Sequence, residues 1–371
     1  MKRAGIDNKT RIPYNSDIGN VYRMPKGVKK GGSCVEIYTI RDVARKAGVA
    51  VSTVSRVLNG RPDVSEETRK KVMDVVEKCG FVQNRNARFL KHAKEPFAAI
   101  IVRGRRNMFL NDVAEQMIEC AQGLKTPFLV KYIDEEADEF EAMRQLYADR
   151  RAGRFILLGS RVDERCEMVR ALGVPCVFAT VDASGSGLEN ASSVCIDDRA
   201  ATRAMMDRLL DKGHTRVAVL GGCREGDDIF AHRYQGAMDS LRAHGIDYDP
   251  DEYVQTRFSL KGAYESIERI FEKRQDITAV LTMSDSMAIG VVRALRDRGL
   301  RVPQDVSVTG FDGTEMAGYY VPSIATVSQP TAEIARESVA LLCEMLEGGE
   351  PRHVTVDFTM MEGESIAEAI R

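Results

Sequence analysis

TIRDVARKAGVAVSTVSRVLNG, residues 39–60, reads as two short helices around a tight turn. The Thr39 hydroxyl can cap a first helix opened by Asp42, Val43 and Ala44, with Asp42 placed to complete a capping-box-like pair. Gly48 breaks that helix, because glycine takes positive φ without a Cβ clash. Val49 and Ala50 carry the chain into a second helix, VSTVSRVLN. Val54, Val57 and Leu58 line one face of it at helical spacing, and Ser52, Ser55, Arg56 and Asn59 line the other. Short hydroxyls plus one guanidinium suit a helix laid in the DNA major groove. The bland alternative is the solvated face of an ordinary helical hairpin.

The flanking residues extend the pattern. Arg61-Pro62-Asp63 make a turn, and Ser65 caps a third helix whose first turn holds Glu66 and Glu67 against the helix dipole. It runs to about Cys79, buries Val72, Val75 and Val76, and stops at Gly80. Such a three-helix module, 37–83, has a small core and is marginal alone. NRNARFLK, residues 84–91, is a helical candidate too short to be stable in water. Arg85, Arg88 and Lys91 surround Leu90, as in a segment that folds on a partner; a plain linker over 84–95 is the alternative.

Charge separates this module from the rest. Residues 37–94 carry 13 Lys/Arg against 6 Asp/Glu, and residues 1–36 carry 8 against 3, so a net charge of −2 leaves −14 on residues 95–371. A basic module on a large acidic body points to a nucleic-acid reader fused to something that avoids nucleic acid. The 371 residues suffice for two or three domains, and 44% hydrophobic with 29% charged residues is a globular profile. There is no run of 18 apolar residues and no signal-peptide core. The eight cysteines form no CxxC pair, which predicts reduced thiols rather than disulfides or zinc.

After Pro96, strand and helix candidates alternate. Strands are expected at 98–102, 128–132, 155–158, 176–180, 194–196, 217–220, 279–283 and 306–309. Helices are expected at 111–122, 138–150, 200–212, 232–244, 261–273, 286–298 and 331–347, with a final strand near 353–359. This order predicts two parallel sheets covered on both faces, hence two α/β lobes with a ligand cleft at the strands' carboxyl ends. Candidate ligand residues are those at strand ends. Arg233 opens RYQGAMDSL; Ser284-Asp285 and Asp312 follow strands, where carboxylates can accept hydroxyls of a polyol, although Asp285 could equally be a helix cap. Arg103 and Arg161 could take a carboxylate or phosphate, since guanidinium binds both bidentately; a solvated loop or dimer salt bridge is the alternative. Gln329, before Pro330, lines the cleft or supports it. There is no P-loop, GxGxxG, GxSxG, HExxH or Cys/His cluster, and the five histidines stand apart from any clear nucleophile. An enzyme, a cofactor and a metal are therefore not expected.

TIRDVARKAGV, STVSRVLNG, VSEETRKKV and NRNARFLK, in order and at matching spacing, resemble the DNA-binding head of the lactose/galactose repressor family. KGHTRVAVLGG, HRYQGAMDSL, MSDSMAIGVVRAL, VPQDVSVTGFDG and PSIATVSQP resemble its periplasmic-binding-protein-like core over 97–360. The resemblance implies a helix-turn-helix head with a hinge helix and a two-lobed core whose chain crosses three times. The expected lobes are 97–196 with 326–352, and 197–325 with 353–371. It implies that Val51, Ser52 and Arg56 face bases and that Leu90, beside Ala87, wedges into the minor groove. Thr39, Ile40, Thr53, Ser55, Asn59, Asn84 and Arg88 complete the DNA-contacting set. Arg56 is the strongest specifier, being able to fork onto guanine. In the core, Arg233 resembles the family's effector-gripping arginine, Phe258 its sugar-stacking aromatic, and Phe109 lies in NMFL, similar to an Asn-Pro-Phe-Phe loop; a core role suits both phenylalanines as well. The implied function is a transcriptional regulator, a repressor by resemblance, of palindromic operator DNA. It would act as a homodimer without a leucine-heptad tail, in the bacterial cytoplasm at the nucleoid. Its effector would be a sugar or sugar derivative, acidic or phosphorylated if the strand-end arginines bind it.

Residues 1–34 are basic and aperiodic, as in a disordered arm. Lys29-Lys30-Gly31-Gly32 can, however, be encoded by a purine-rich ribosome-binding sequence, with Val35 spaced as a GUG start. The expected outcome of intact-mass measurement on the native protein is a chain that begins with formylmethionine at position 35. A mass equal to residues 1–371 would refute this start.

Overall fold

The computed structural model describes residues 40–58, 64–79, 97–124, 126–149, 151–224, 229–248 and 253–369. They fall into two units, one within 40–79 and one from 97 onward. In the first, α1 (Ile40–Ala47), α2 (Val51–Leu58) and α3 (Glu66–Cys79) enclose Val43, Ala44, Ala47, Val54, Val57 and Val72. Gly48 takes φ +65° between α1 and α2. The Ala50 carbonyl accepts from the Thr53 and Val54 amides to start α2. Ser65 caps α3 by accepting from the Thr68 amide at 3.3 Å.

The second unit alternates strands and helices. Its first part runs β1 (Phe97–Arg103), α4 (Met108–Cys120), β2 (Phe128–Ile133), α5 (Glu139–Ala148), β3 (Ala152–Leu158), α6 (Glu167–Leu172), β4 (Cys176–Ala179) and β5 (Ala191–Cys195). The second part runs α7 (Asp198–Asp211), β6 (Val217–Gly221), α8 (Ile229–Ala243), β7 (Tyr253–Gln255), α9 (Leu260–Lys273), β8 (Ala279–Thr282), α10 (Asp285–Asp297), β9 (Ser307–Asp312), α11 (Glu315–Tyr319) and β10 (Ala325–Ser328). Then come α12 (Thr331–Leu346), β11 (His353–Thr355) and β12 (Thr359–Met361).

Two six-stranded sheets result, ordered β11-β5-β4-β3-β1-β2 and β12-β10-β9-β8-β6-β7. Among the described residues all pairings are parallel except β10 with β12. Central strands such as β4, β8 and β9 are buried along their whole length, as a parallel sheet covered on both faces requires. One core cluster contains residues of both sheets, among them Ile100 and Val194 of the first and Val219 and Leu281 of the second.

The chain passes between lobes after β5, after β10 and after β11. The lobe limits expected at 326 and 353 need correction: β10 pairs with β9 and β11 with β5, so the second and third crossings fall near 329 and 357. The single strand expected at 353–359 is two, one in each sheet, because Val356–Phe358 is itself a crossover. Strand β7 and the short helices α6 and α11 carry too few residues for periodicity to reveal them.

His214 ties the last residues to the second lobe. It is buried; Nε2 faces the Ala367 carbonyl at 3.0 Å and Nδ1 the Thr278 hydroxyl at 3.0 Å. A carbonyl only accepts, so Nε2 carries the proton and the neutral ring satisfies both contacts. Burial lowers its pKa below the ordinary value of 6.5. The unfolded chain therefore takes up the proton first as pH falls, and this contribution is complete above about pH 6.5 and lost toward the folded pKa. His214→Gln is expected to melt below the wild type at pH 8, by the equivalent of about 1–3 kcal/mol, and the gap should narrow at pH 5.5. A gap constant with pH would rule out the titration.

Candidate functional sites: an outward helix face and a buried polar cluster

On α2 the apolar stripe is turned inward and the opposite face outward. Val54 and Val57 are buried, whereas Val51, Ser52 and Arg56 are exposed and Thr53 and Ser55 half-buried. Val51 shows 42% of its surface. Ile40 is the first residue of α1. Thr39, Asn59, Asn84, Ala87, Arg88 and Leu90 lie outside the described residues.

In the two-lobed unit the strand-end residues assemble around Arg233. It lies on α8, is 4% exposed, and donates through Nε to Asp198 Oδ1 at 2.7 Å and through a terminal nitrogen to the Met283 carbonyl at 2.7 Å. That nitrogen also lies 3.9 Å from Asp312 Oδ1. The guanidinium carbon stands 3.5 Å from the centre of the Phe311 ring, in cation–π contact. Gln329 donates its amide to Asp312 Oδ1 at 2.9 Å. Burial pushes the Asp198 and Asp312 carboxyls above the usual range, Asp312 well above, while Arg233 pulls both back. Asp198 escaped the sequence reading because Asp197-Asp198 looks like a cap, and Asp197 is indeed the N-cap, accepting from the Ala200 amide.

Asp285 is neither an N-cap nor open to a ligand. Ser284 caps α10, accepting from the Met287 amide at 3.2 Å. Asp285 is fully buried; Oδ2 accepts from the Thr314 amide and hydroxyl at 2.7 and 2.9 Å, and Oδ1 from the Thr326 hydroxyl at 2.6 Å. Burial pushes its pKa up to about 6. The bonds hold the turn after β9, where Asp312 sits at φ +112° and Gly313 at +73°. A positive φ at a non-glycine residue stores strain, so the turn needs such an anchor. Gly310 makes room for it, since a Cβ there would collide with Asp285 Oδ1.

On the first lobe Arg103, at the end of β1, is 7% exposed. Its Nε lies 3.7 Å from Glu139 Oε2, and a terminal nitrogen donates to the Gly159 carbonyl at 3.3 Å. Glu139 is 1% exposed, and its Oε1 accepts from the Ser160 hydroxyl and the Arg161 amide, both at 3.0 Å. The Arg161 Nε is buried without a hydrogen bond. Glu139 was hidden in the acidic run DEEADEFEAM, which looks like a solvated helix start. Phe109 packs in the core at the start of α4, and Phe258 is half-buried with its ring 4.6 Å from Phe230. Beside the first crossover a cavity of about 270 Å³ is lined by Asp182, Asp197, Asp198 and His232 among others.

Residues 39–84 match the family described as bacterial regulatory proteins, lacI family, and residues 206–366 match the periplasmic binding protein-like domain. The HTH-type transcriptional regulator MalR of Clostridium butyricum is 32% identical over 332 residues, which cover 88% of this chain and 98% of that one. Catabolite control protein A of Priestia megaterium is 30% identical, over 83% of this chain and 92% of its own. A solved transcriptional regulator CelR-cellobiose complex superposes with a TM-score of 0.65 at 28% identity, covering 88% of this chain and 99% of that one.

The buried cluster sets a clear expectation. Arg233→Met leaves Asp198 and Asp312 without their opposite charge and should cost about 3–5 kcal/mol in urea unfolding at pH 7.5. Adding Asp198→Asn should recover part of it. A loss below about 1 kcal/mol would mean that the guanidinium is not the counter-charge.

Proposed function

The chain belongs to the lacI family of bacterial regulatory proteins, and on that premise we propose that it is an operator-binding transcriptional repressor. It works as a homodimer in the bacterial cytoplasm, at the nucleoid, and a small-molecule effector held between its lobes sets its grip on DNA. The observation that carries this reading is the pairing of an outward Val51-Ser52-Arg56 face with a buried Arg233–Asp312–Gln329 cluster at strand ends. The first can read base edges; the second can exchange hydrogen bonds with a polyol. Relatives support it by what they are: transcriptional regulators, one solved with cellobiose.

The effector class follows from the charge balance. Arg103 is answered by Glu139 and Arg233 by Asp198, which leaves acceptors suited to the hydroxyls of a neutral sugar. A second reading, an acidic or phosphorylated sugar, draws support from Arg161, whose Nε has no hydrogen bond. A large switch between DNA-bound and free states needs roughly 10⁴-fold differential affinity, about 5.5 kcal/mol.

Duplexes selected by the full chain from a random pool should contain inverted repeats, and their binding should weaken steeply and linearly with log salt. Arg56→Ala should cost about 1–3 kcal/mol and relax one base position. Salt-insensitive binding, or none, would overturn the reading. In melting-shift titrations cellobiose and maltose should stabilise more than glucose 6-phosphate; the reverse order would favour the acidic effector.

A further inference from the structure

We propose that Arg257 and the turn Asp134-Glu135-Glu136 form an ionic clasp that holds the two lobes together on the edge of the cleft opposite the crossovers. The topology sets the stage. The strands that feed the three crossings, β5 and β11 in one sheet and β10 in the other, lie at or next to the β11 and β12 edges. Strands β2 and β7 lie at the far edges. No covalent connection joins the lobes there, because β2 runs on into α5 and β7 into α9, each within its own lobe.

Arg257 follows β7, and the acidic turn follows β2. The Arg257 Nε donates to Glu136 Oε1 at 3.0 Å and lies 3.1 Å from Glu135 Oε1. Its Nη2 lies 2.7 Å from Glu136 Oε1 and 3.8 Å from Asp134 Oδ1. One guanidinium thus meets three carboxylates across the gap between lobes. The network also reaches the site wall. Burial raises the Glu135 pKa; Arg257 opposes this, and so does Arg103, the residue held by Glu139 at the end of β1. Charges alternate from Arg257 through Glu135 to Arg103 and Glu139. The contact with the second lobe is therefore electrostatically linked to the first lobe's strand ends.

The guanidinium is about half exposed, at 55%. Exposed pairs are individually weak and screened by salt, so the clasp can hold the lobes and still release them. Three acids in a row repel one another when Arg257 departs, which favours its return at low salt and makes release depend on screening.

The test uses the full chain and needs no effector, so its failure is separable from failure of the repressor reading. Arg257→Lys keeps the positive charge and supplies an amine to a zero-length carbodiimide cross-linker. Peptide mapping of the monomer band is expected to join position 257 to Glu135 or Glu136. The yield should fall at least about threefold between 50 mM and 0.5 M NaCl, and vanish when Asp134→Asn, Glu135→Gln and Glu136→Gln are added. Cross-links from position 257 only to carboxylates of its own lobe, or none, would overturn the clasp. A yield indifferent to salt would make the contact a fixed joint and overturn its ionic release. In small-angle scattering, Arg257→Glu should show a larger radius of gyration than the wild type at 50 mM NaCl, and the two should converge at 0.5 M. Identical curves at low salt would also count against it.

Discussion

The Arg233 guanidinium is the constraint on which much of the two-lobed unit depends. An isolated charge in a protein interior is prohibitively expensive, so everything around it is arranged to answer it. Asp198 comes from the helix that follows the first crossover, Met283 from the end of β8, and Asp312 and Phe311 from the end of β9. Gln329 reaches Asp312 from the second crossover. One side chain thereby ties two of the three lobe crossings to two central strand ends. Two acids held near one arginine also leave a polar group with hydrogen bonds to trade, and an incoming hydroxyl compound would compete for them.

Around that centre the polar residues divide into those that hold and those that can touch. Asp285 spends both oxygens on Thr314 and Thr326 and so fixes the turn that presents Asp312. Glu139 plays the equivalent part on the other lobe, binding Ser160 and Arg161 and standing beside Arg103. Positioning of this kind gives the neighbouring polar groups fixed geometry, which preorganised recognition requires.

The architecture was legible in the sequence where the chain repeats a simple rule. Alternating apolar runs and amphipathic stretches predict the order of strands and helices, and Gly48 and Ser65 mark the turns of the small unit as the structure has them. The lobe assignment of 326–359 was not legible, because a strand's own residues do not say which of two sheets it joins. Arg233 and Asp312 could be singled out, Asp312 because it ends a strand and Arg233 because it opens RYQGAMDSL. Asp198 and Glu139 could not: each sits in an acidic run, where burial is a tertiary fact. Asp285 could be placed but not understood, since its role depends on Thr314 and Thr326, which are distant in sequence and adjacent in space.

The last residues have a consequence for synthesis on the ribosome. Strand β11 completes one sheet and β12 the other. Beyond them Ser365 donates its hydroxyl to the Val308 carbonyl, and the Ala369 amide bonds to the Lys212 carbonyl. Neither lobe can therefore close until nearly the whole chain has emerged. The three helices at 40–79 draw their buried core from their own residues and are made first. The nascent chain thus carries its three-helix head, marginal by itself, while its sensing half is still incomplete, so the order of synthesis runs opposite to the order of control.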